Sequence, residues 1–308
     1  MGGLEFVGLC GIIQYMNTAS AYIIAGPTAS GKSDFAHKLA RAVRGAIINC
    51  DSVQIYRGIE NISASPFAGR TLADEIDGVP YRLFSILTLA EQISVADYIK
   101  LARREYDAAC ASGLVPIFVG GTGYYINGIV NGIAEIPEIS PEIRARAREI
   151  VSKNLDAARA MVANTGATDS QRVARALEVF LQTGRHITEW WNEPRVGAIL
   201  PTPRRILINP PLDILHERIA ARIPMMLSGG AMAEAQYIVD NNLNPNRAIG
   251  AAQLCDYITG KITRDMAINE WITKTNQYAK RQRTWFKTQF NADITINNIP
   301  NDDDLNRC

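Results

Sequence analysis

An α/β fold with an open, mostly parallel sheet, flanking helices and an all-helical insertion is predicted by three observations on this 308-residue sequence. Short apolar, β-rich runs alternate with segments of helical period, the pattern expected of βαβ units. The first run leads directly into Gly26-Pro27-Thr28-Ala29-Ser30-Gly31-Lys32-Ser33, which has the G-x-x-x-x-G-K-S spacing of a phosphate-binding loop. Between about Glu135 and Pro203 the texture changes: Ala- and Arg-rich helical segments dominate and no strand candidate is found.

Taken in order, Ala21–Ala25 reads as the first buried strand. Lys32–Val43 follows as a helix, with Phe35, Leu39 and Val43 on its apolar stripe. Ala46–Cys50 is the second strand, Val95–Ser112 a helix, Val115–Gly120 the third strand and Arg205–Asn209 the fourth. Pro137 and Pro141 mark one edge of the helical insertion; Pro194, Pro201 and Pro203 mark the other. From Leu212 to Phe290 the chain is again largely helical. The expected organisation is therefore a leader without fixed structure at 1–20 and a discontinuous P-loop NTPase-like core at 21–134 and 204–300. A helical insertion at 135–203 and an acidic tail at 301–308 complete it.

Ligands of parallel sheets gather at the carboxyl ends of the strands, and three features converge there. The phosphate loop turns successive backbone N–H groups inward at a helix N-terminus, where the helix adds positive potential. Lys32 brings a full charge to the terminal phosphates, and the Ser33 hydroxyl can ligate Mg²⁺. Asp51-Ser52-Val53-Gln54 follows the second strand; the Asp51 carboxylate suits a general base or metal-shell ligand, and equally a helix N-cap. Gly120-Gly121-Thr122-Gly123 follows the third strand, where an ATPase usually carries a Walker B aspartate. A phosphate loop without that water-activating partner can instead hold a diphosphate as a leaving group.

These motifs occur in one order with others: Asp51-Ser52-x-Gln54-x-Tyr56, Gly120-Gly121-Thr122-Gly123-Tyr124-Tyr125, and Gln171-Arg172-Val173-Ala174-Arg175-Ala176-Leu177-Glu178-Val179. Ala248-Ile249-Gly250 and Ala279-Lys280-Arg281-Gln282 complete the set, and together, over about Ala21 to Phe290, they resemble the tRNA dimethylallyltransferases. That family moves a dimethylallyl group from its diphosphate to N6 of the adenosine 3′ of certain anticodons. The resemblance implies that Gly26 through Ser33 bind dimethylallyl diphosphate, with Mg²⁺ on Ser33, and that Asp51 is the base that takes the N6 proton. It further implies that Thr122 lies beside the target adenosine and that Arg247 faces diphosphate and tRNA. On the same resemblance Asp51 to Gln54, Thr122, Arg144, Gln171 to Arg175, Lys280, Arg281 and Arg283 contact the tRNA anticodon stem-loop. The chain departs from the family at Ile62-Ser63-Ala64-Ser65-Pro66, which lacks a lysine, at Ala251-Ala252, which replace an aromatic and basic pair, and at Asn276, in place of an arginine.

Other readings stay open on the residues alone. The arginines Arg172 and Arg175, opposite the apolar Val173, Leu177 and Phe180, are either an RNA face or an ordinary solvated one. Trp271, Tyr278 and Trp285 recur every seven residues and favour core packing over base stacking. Rival functions are prenylation of free adenine nucleotides, a P-loop small-molecule kinase and a non-catalytic RNA-binding protein. Composition is that of a soluble protein, 47% hydrophobic and 20% charged, with a net charge of +1. A nucleic-acid partner must therefore be sought in local patches such as Lys261 to Phe290, with seven Lys or Arg against two acids. Five scattered cysteines without a C-x-x-C pair fit reduced thiols in a cytosolic protein, and no run approaches the ~18 apolar residues of a membrane helix. A monomer without membrane attachment is expected.

Overall fold

The computed structural model describes residues 20–200 and 202–308. The expected leader, up to residue 19, lies outside the described residues. The chain divides into two compact units, one running to Val130 and resuming at Ile199–Cys308, the other being Asn131–Ala198.

The first unit is built on a seven-stranded sheet. Its strands are β1 (Tyr22–Ala25), β2 (Gly45–Asn49), β3 (Glu75–Ile76), β4 (Val79–Arg82), β5 (Val115–Gly120), β8 (Arg204–Ile208) and β9 (Ile294–Ile296); β6 (Ile133–Ala134) and β7 (Arg195–Val196) belong to the second unit. The order across the sheet is β3-β4-β2-β5-β1-β8-β9. All neighbours are parallel except the β3–β4 hairpin at one edge. Strands β1 and β2 are buried along their whole length, so they read as continuous apolar runs rather than alternating ones. Each fully buried Ile, such as Ile23, Ile24 and Ile48, is worth about 1.5–3 kcal/mol of hydrophobic stabilisation. Strands β3, β4 and β9 were not anticipated. They are short, and β4 alternates buried and half-buried residues around Pro80, so none carries the apolar run that flags a central strand.

Helix α1 (Lys32–Val43) packs Phe35, Ala36, Leu39 and Ala40 inward. Helix α2 (Val95–Ala111) starts at Ser94, whose hydroxyl accepts the Asp97 N–H. Helix α3 (Gly123–Asn131) follows β5 directly. In the second unit, α4 (Pro141–Lys153), α5 (Leu155–Met161), α6 (Ser170–Thr183) and α7 (Ile187–Trp191) enclose a core containing Ala147, Val151, Ala158, Val173 and Leu177. Ser140 caps α4 ahead of Pro141, and Asp169 caps α6 by accepting the Arg172 N–H at 2.9 Å. Gly184 closes α6 in the left-handed region at φ 71°. No strand was expected here, yet β6 and β7 form a two-residue antiparallel pair. At two residues each, neither has enough length to show a period.

Back in the first unit, beyond β8, come α8 (Leu212–Met226), α9 (Met232–Asp240), α10 (Ala251–Ile258) and α11 (Arg264–Gln289). The 301–308 segment, expected as an acidic tail, is folded. Residues Asp302–Arg307 form a 3-10 helix capped by Asn301. Asp304 is buried and pairs with Arg307 at 3.1 Å, while Leu305 and Cys308 pack against the core. Composition flagged the three aspartates and hid the apolar residues that anchor them.

Among the described residues no helix is long and apolar enough to cross a membrane, and the four described cysteines are unpaired.

Candidate active site

The phosphate loop takes its shape from two tight positions. A Cβ on Gly26 would stand 2.4 Å from the Ile208 carbonyl oxygen, so only glycine lets the loop leave β1 against the end of β8. The chain then turns through positive φ at Ala29 (64°) and Gly31 (88°) before α1 begins. Ser30 donates its N–H back to the Pro27 carbonyl at 3.3 Å, and its buried hydroxyl has no partner. Lys32 Nζ donates to the Pro27 carbonyl at 3.2 Å. Burial pulls the Lys32 ammonium down to about 8, opposed by the charge of Asp51 and reinforced by that of Arg222.

Two arginines on α8 brace this loop. Arg218 Nε donates to the Ala29 carbonyl at 2.8 Å, and Arg222 Nη2 donates to Thr28 Oγ1 at 2.8 Å. Burial lowers Arg222 to about 10; Arg218 adds to this and Asp51 opposes it. Its buried Nε has no partner. A guanidinium held this deep with an unused N–H is a strong anion ligand. Sequence reasoning missed both residues. The available signal was their spacing of four on the helix that follows a core strand, which puts them on one face.

On the other side of the site, Asn49 at the end of β2 holds the chain as it leaves the sheet. Its Oδ1 accepts the Asp51 N–H at 2.8 Å, and its Nδ2 donates to the carbonyls of Asp51 and Leu83, each at 3.0 Å. Asp51 Oδ1 accepts the Val53 N–H at 2.9 Å. The helix N-cap alternative is thereby excluded: residues 52–55 are turns, and the carboxylate closes an Asx turn. Thr122 ties the two strand ends together. Its Oγ1 accepts the Ser52 N–H at 2.9 Å and donates to Ser52 Oγ at 3.2 Å, and its N–H donates to the Cys50 carbonyl at 3.2 Å. The Tyr278 hydroxyl also bonds Thr122, and burial raises that phenol above its ordinary range with help from Asp51. Gln54 Nε2 reaches the carbonyls of Ser63 and Ala64 at 3.2 and 3.0 Å, so it braces the segment that lacks the lysine.

Arg247, expected to face diphosphate and tRNA, is held by the chain around Tyr56 and Leu89–Glu91. Its Nη2 donates to the Glu91 carbonyl at 2.7 Å, Nε to Leu89 at 3.4 Å and Nη1 to the Tyr56 hydroxyl at 3.3 Å, with the guanidinium 5.0 Å over the Tyr56 ring. It is engaged with that segment, while the guanidinium groups bonded to the phosphate loop itself are those of Arg218 and Arg222. Of the residues expected at tRNA, the basic ones lie at the surface of their own unit. Arg144, Gln171, Arg172 and Arg175 are exposed and Ala174 half-buried, while Val173 faces the core. Arg172 pairs with Asp169, and Arg175 with Glu178, each at 3.3 Å. On α11, Lys280 and Arg281 are exposed and Arg283 half-buried. The aromatic stripe packs as expected at Trp271, which is 2% exposed; Trp285 lies so close to Gly123 that a Cβ there would stand 2.5 Å from its ring.

Comparison with known proteins gives this geometry a family. The sequence model of IPP transferase matches residues 54–289, and that of isopentenyl transferase matches 19–85. The chain is 37% identical over 293 residues to a tRNA dimethylallyltransferase of Rhodospirillum rubrum, covering 91% of this chain and 88% of that one. It is 39% identical over 279 residues to the tRNA dimethylallyltransferase of Sphingopyxis alaskensis, covering 87% and 89%. The crystal structure of the tRNA isopentenylpyrophosphate transferase of Bacillus halodurans superposes with a TM-score of 0.65 at 28% identity, over 92% of each chain. With the loop, the Asx-turned aspartate and the threonine turn at three strand ends of one parallel sheet, and relatives matching nearly end to end, the chain belongs to the IPP transferase family.

Proposed function

We propose that this chain transfers the dimethylallyl group of dimethylallyl diphosphate to N6 of an adenosine next to the anticodon in tRNA, releasing diphosphate. The observation that carries the reading is the buried Lys32 of the loop and Arg222 of α8, bonded to that loop, both within the electrostatic reach of Asp51 in the turn tied by Thr122. The names borne by relatives of nearly equal length support the same acceptor.

Scission of the allylic C–O bond builds negative charge on the departing diphosphate, and donors fixed in advance lower that barrier. Loop amides, Lys32 and the unused Nε of Arg222 are such donors. The carboxylate of Asp51 keeps Oδ1 on Val53 and presents Oδ2 as acceptor for the proton that the N6 amine must lose. Thr122 fixes the position of Ser52 and so the turn that aims Asp51. The donor set suits a magnesium ion that neutralises the diphosphate: Ser33 supplies a hydroxyl at the start of α1, beside the phosphate loop. Arg144, Gln171, Arg172 and Arg175 in the second unit, and Lys280, Arg281 and Arg283 on α11, would meet RNA phosphates, which position the substrate without reading it.

The test is an acceptor competition: dimethylallyl diphosphate with either unmodified tRNA or AMP, products identified by mass. Prenylated adenosine in tRNA is expected. Prenylation of AMP alone would refute the reading.

A further inference from the structure

Gln282 sits on α11 with 5% of its surface exposed, among the exposed Lys280 and Arg281. Its two amide atoms tie together the segments that follow the paired strands β1 and β5. Oε1 accepts the Thr28 N–H at 2.8 Å, in the phosphate loop, and Nε2 donates to the Gly121 carbonyl at 2.9 Å, in the turn that carries Thr122. One turn earlier on the same face Tyr278 bonds Thr122, and one turn later Trp285 covers Gly123. The positions 278, 282 and 285 form one stripe of the helix, applied to three consecutive residues of the turn. Gly121 is shaped to this contact: a Cβ there would stand 2.2 Å from Gln282 Nε2, although its backbone is not in the glycine-favoured region.

We propose that Gln282 is a positioning residue that sets the distance between the diphosphate cradle and the acceptor turn. This rests on the transfer reaction proposed above. Thr28 receives Arg222 on its hydroxyl and Gln282 on its N–H, so its backbone is held on two sides and the remaining loop amides are oriented before ligand arrives. Transfer between a leaving group and an attacking amine depends steeply on their separation, and a shift of about 1 Å can cost 10²-fold. A bond from one rigid helix to both partners defines that separation. A glutamine is suited to it, since the two bonds need an acceptor and a donor on the same planar group.

The test compares wild type with Gln282→Met, which removes both bonds at similar volume, and Gln282→Glu, which keeps the acceptor for Thr28 and loses the donor to Gly121. Prenyl transfer to tRNA, tRNA binding and the thermal shift produced by inorganic pyrophosphate are measured for each. The expected result is a kcat at least tenfold lower in both variants, a smaller pyrophosphate shift in Gln282→Met, and tRNA affinity within about twofold of wild type. Gly121→Ala is expected to lower kcat in the wild-type background and less in a Gln282→Ala background, because the severe clash is with Gln282 and the Gly26 carbonyl, at 3.2 Å, is only mildly crowded. If Gln282→Met loses stability, Gln282→Glu and this cycle decide. Unchanged kcat and pyrophosphate shift, or tRNA affinity falling in parallel with kcat, would overturn the proposal. A wild-type protein that prenylates AMP and leaves tRNA untouched overturns the choice of acceptor, while the pyrophosphate shifts still decide the role of Gln282.

Discussion

The two sets of cations proposed to meet phosphate differ in their physical setting. Lys32 and Arg222 are enclosed, hydrogen-bonded to the loop they serve and displaced from their ordinary titration ranges. Arg172 and Arg175 lie on the surface of α6, each in an ion pair three residues apart. The enclosed pair has already lost its water, so an arriving diphosphate meets undiminished charge in fixed geometry. The surface arginines remain solvated, and in the proposed role they would act through counterion release, weakly per residue and strongly with salt. A leaving group needs the first arrangement and a long polyanion the second.

The largest expected effect removes the proton acceptor on the far side of the enclosed pair. Asp51→Asn should lower the transfer rate by about 10²–10⁴-fold with pyrophosphate and tRNA binding retained. Loss of tRNA affinity along with rate would make Asp51 an RNA contact instead. Lys32→Met should cost about 10²–10³-fold in kcat/KM and leave tRNA affinity within twofold, measured by filter binding. Arg222→Lys, which keeps charge and loses the fork on Thr28, should fall between that variant and wild type; equal rates would show the guanidinium to be a structural brace.

Titration sharpens the same contrast. Lys32 titrates near 8 in the folded protein and near 10.5 in an open chain. Between those values the unfolded state binds the extra proton, so folding stability should rise with pH across that window. Lys32→Met should flatten the rise in denaturant titrations. Pyrophosphate favours the charged amine, so its affinity in the wild type should fall as pH passes about 8, with proton uptake on binding in calorimetry. Arg172→Ala and Arg175→Ala should show the smallest effects: a few-fold weaker tRNA binding, and a salt slope shallower by about 1 for each phosphate that is no longer neutralised. A variant that changed kcat without changing that slope would move the residue from the RNA face to the chemistry.

Legibility followed the same division. The loop, the strands around it and the Asp51 and Thr122 turns depend on runs and glycines that are local in sequence, and they stand where they were expected. The short β4 and β9 strands escaped notice because each is stabilised by a neighbour far away in the chain: β4 by β2, β9 by β8. The contacts of Arg247 were not legible for a related reason. A motif tells which residue type stands in a segment, and the side chain's direction is decided by the loop that packs against it, here Leu89 and Glu91.

By itself the sequence determined the parallel α/β core, the phosphate loop with Lys32, and the motif order that identifies the family, since backbone conformation and burial at those places are encoded within a few residues. Tertiary structure alone decided that Arg218 and Arg222 brace the loop, that Gln282 spans 254 residues of chain to reach Thr28, and that the final aspartate-rich segment is anchored by Leu305 and Cys308. Those contacts join surfaces that meet only after the sheet has formed, and no local pattern of hydrophobicity or charge encodes where such surfaces come to rest.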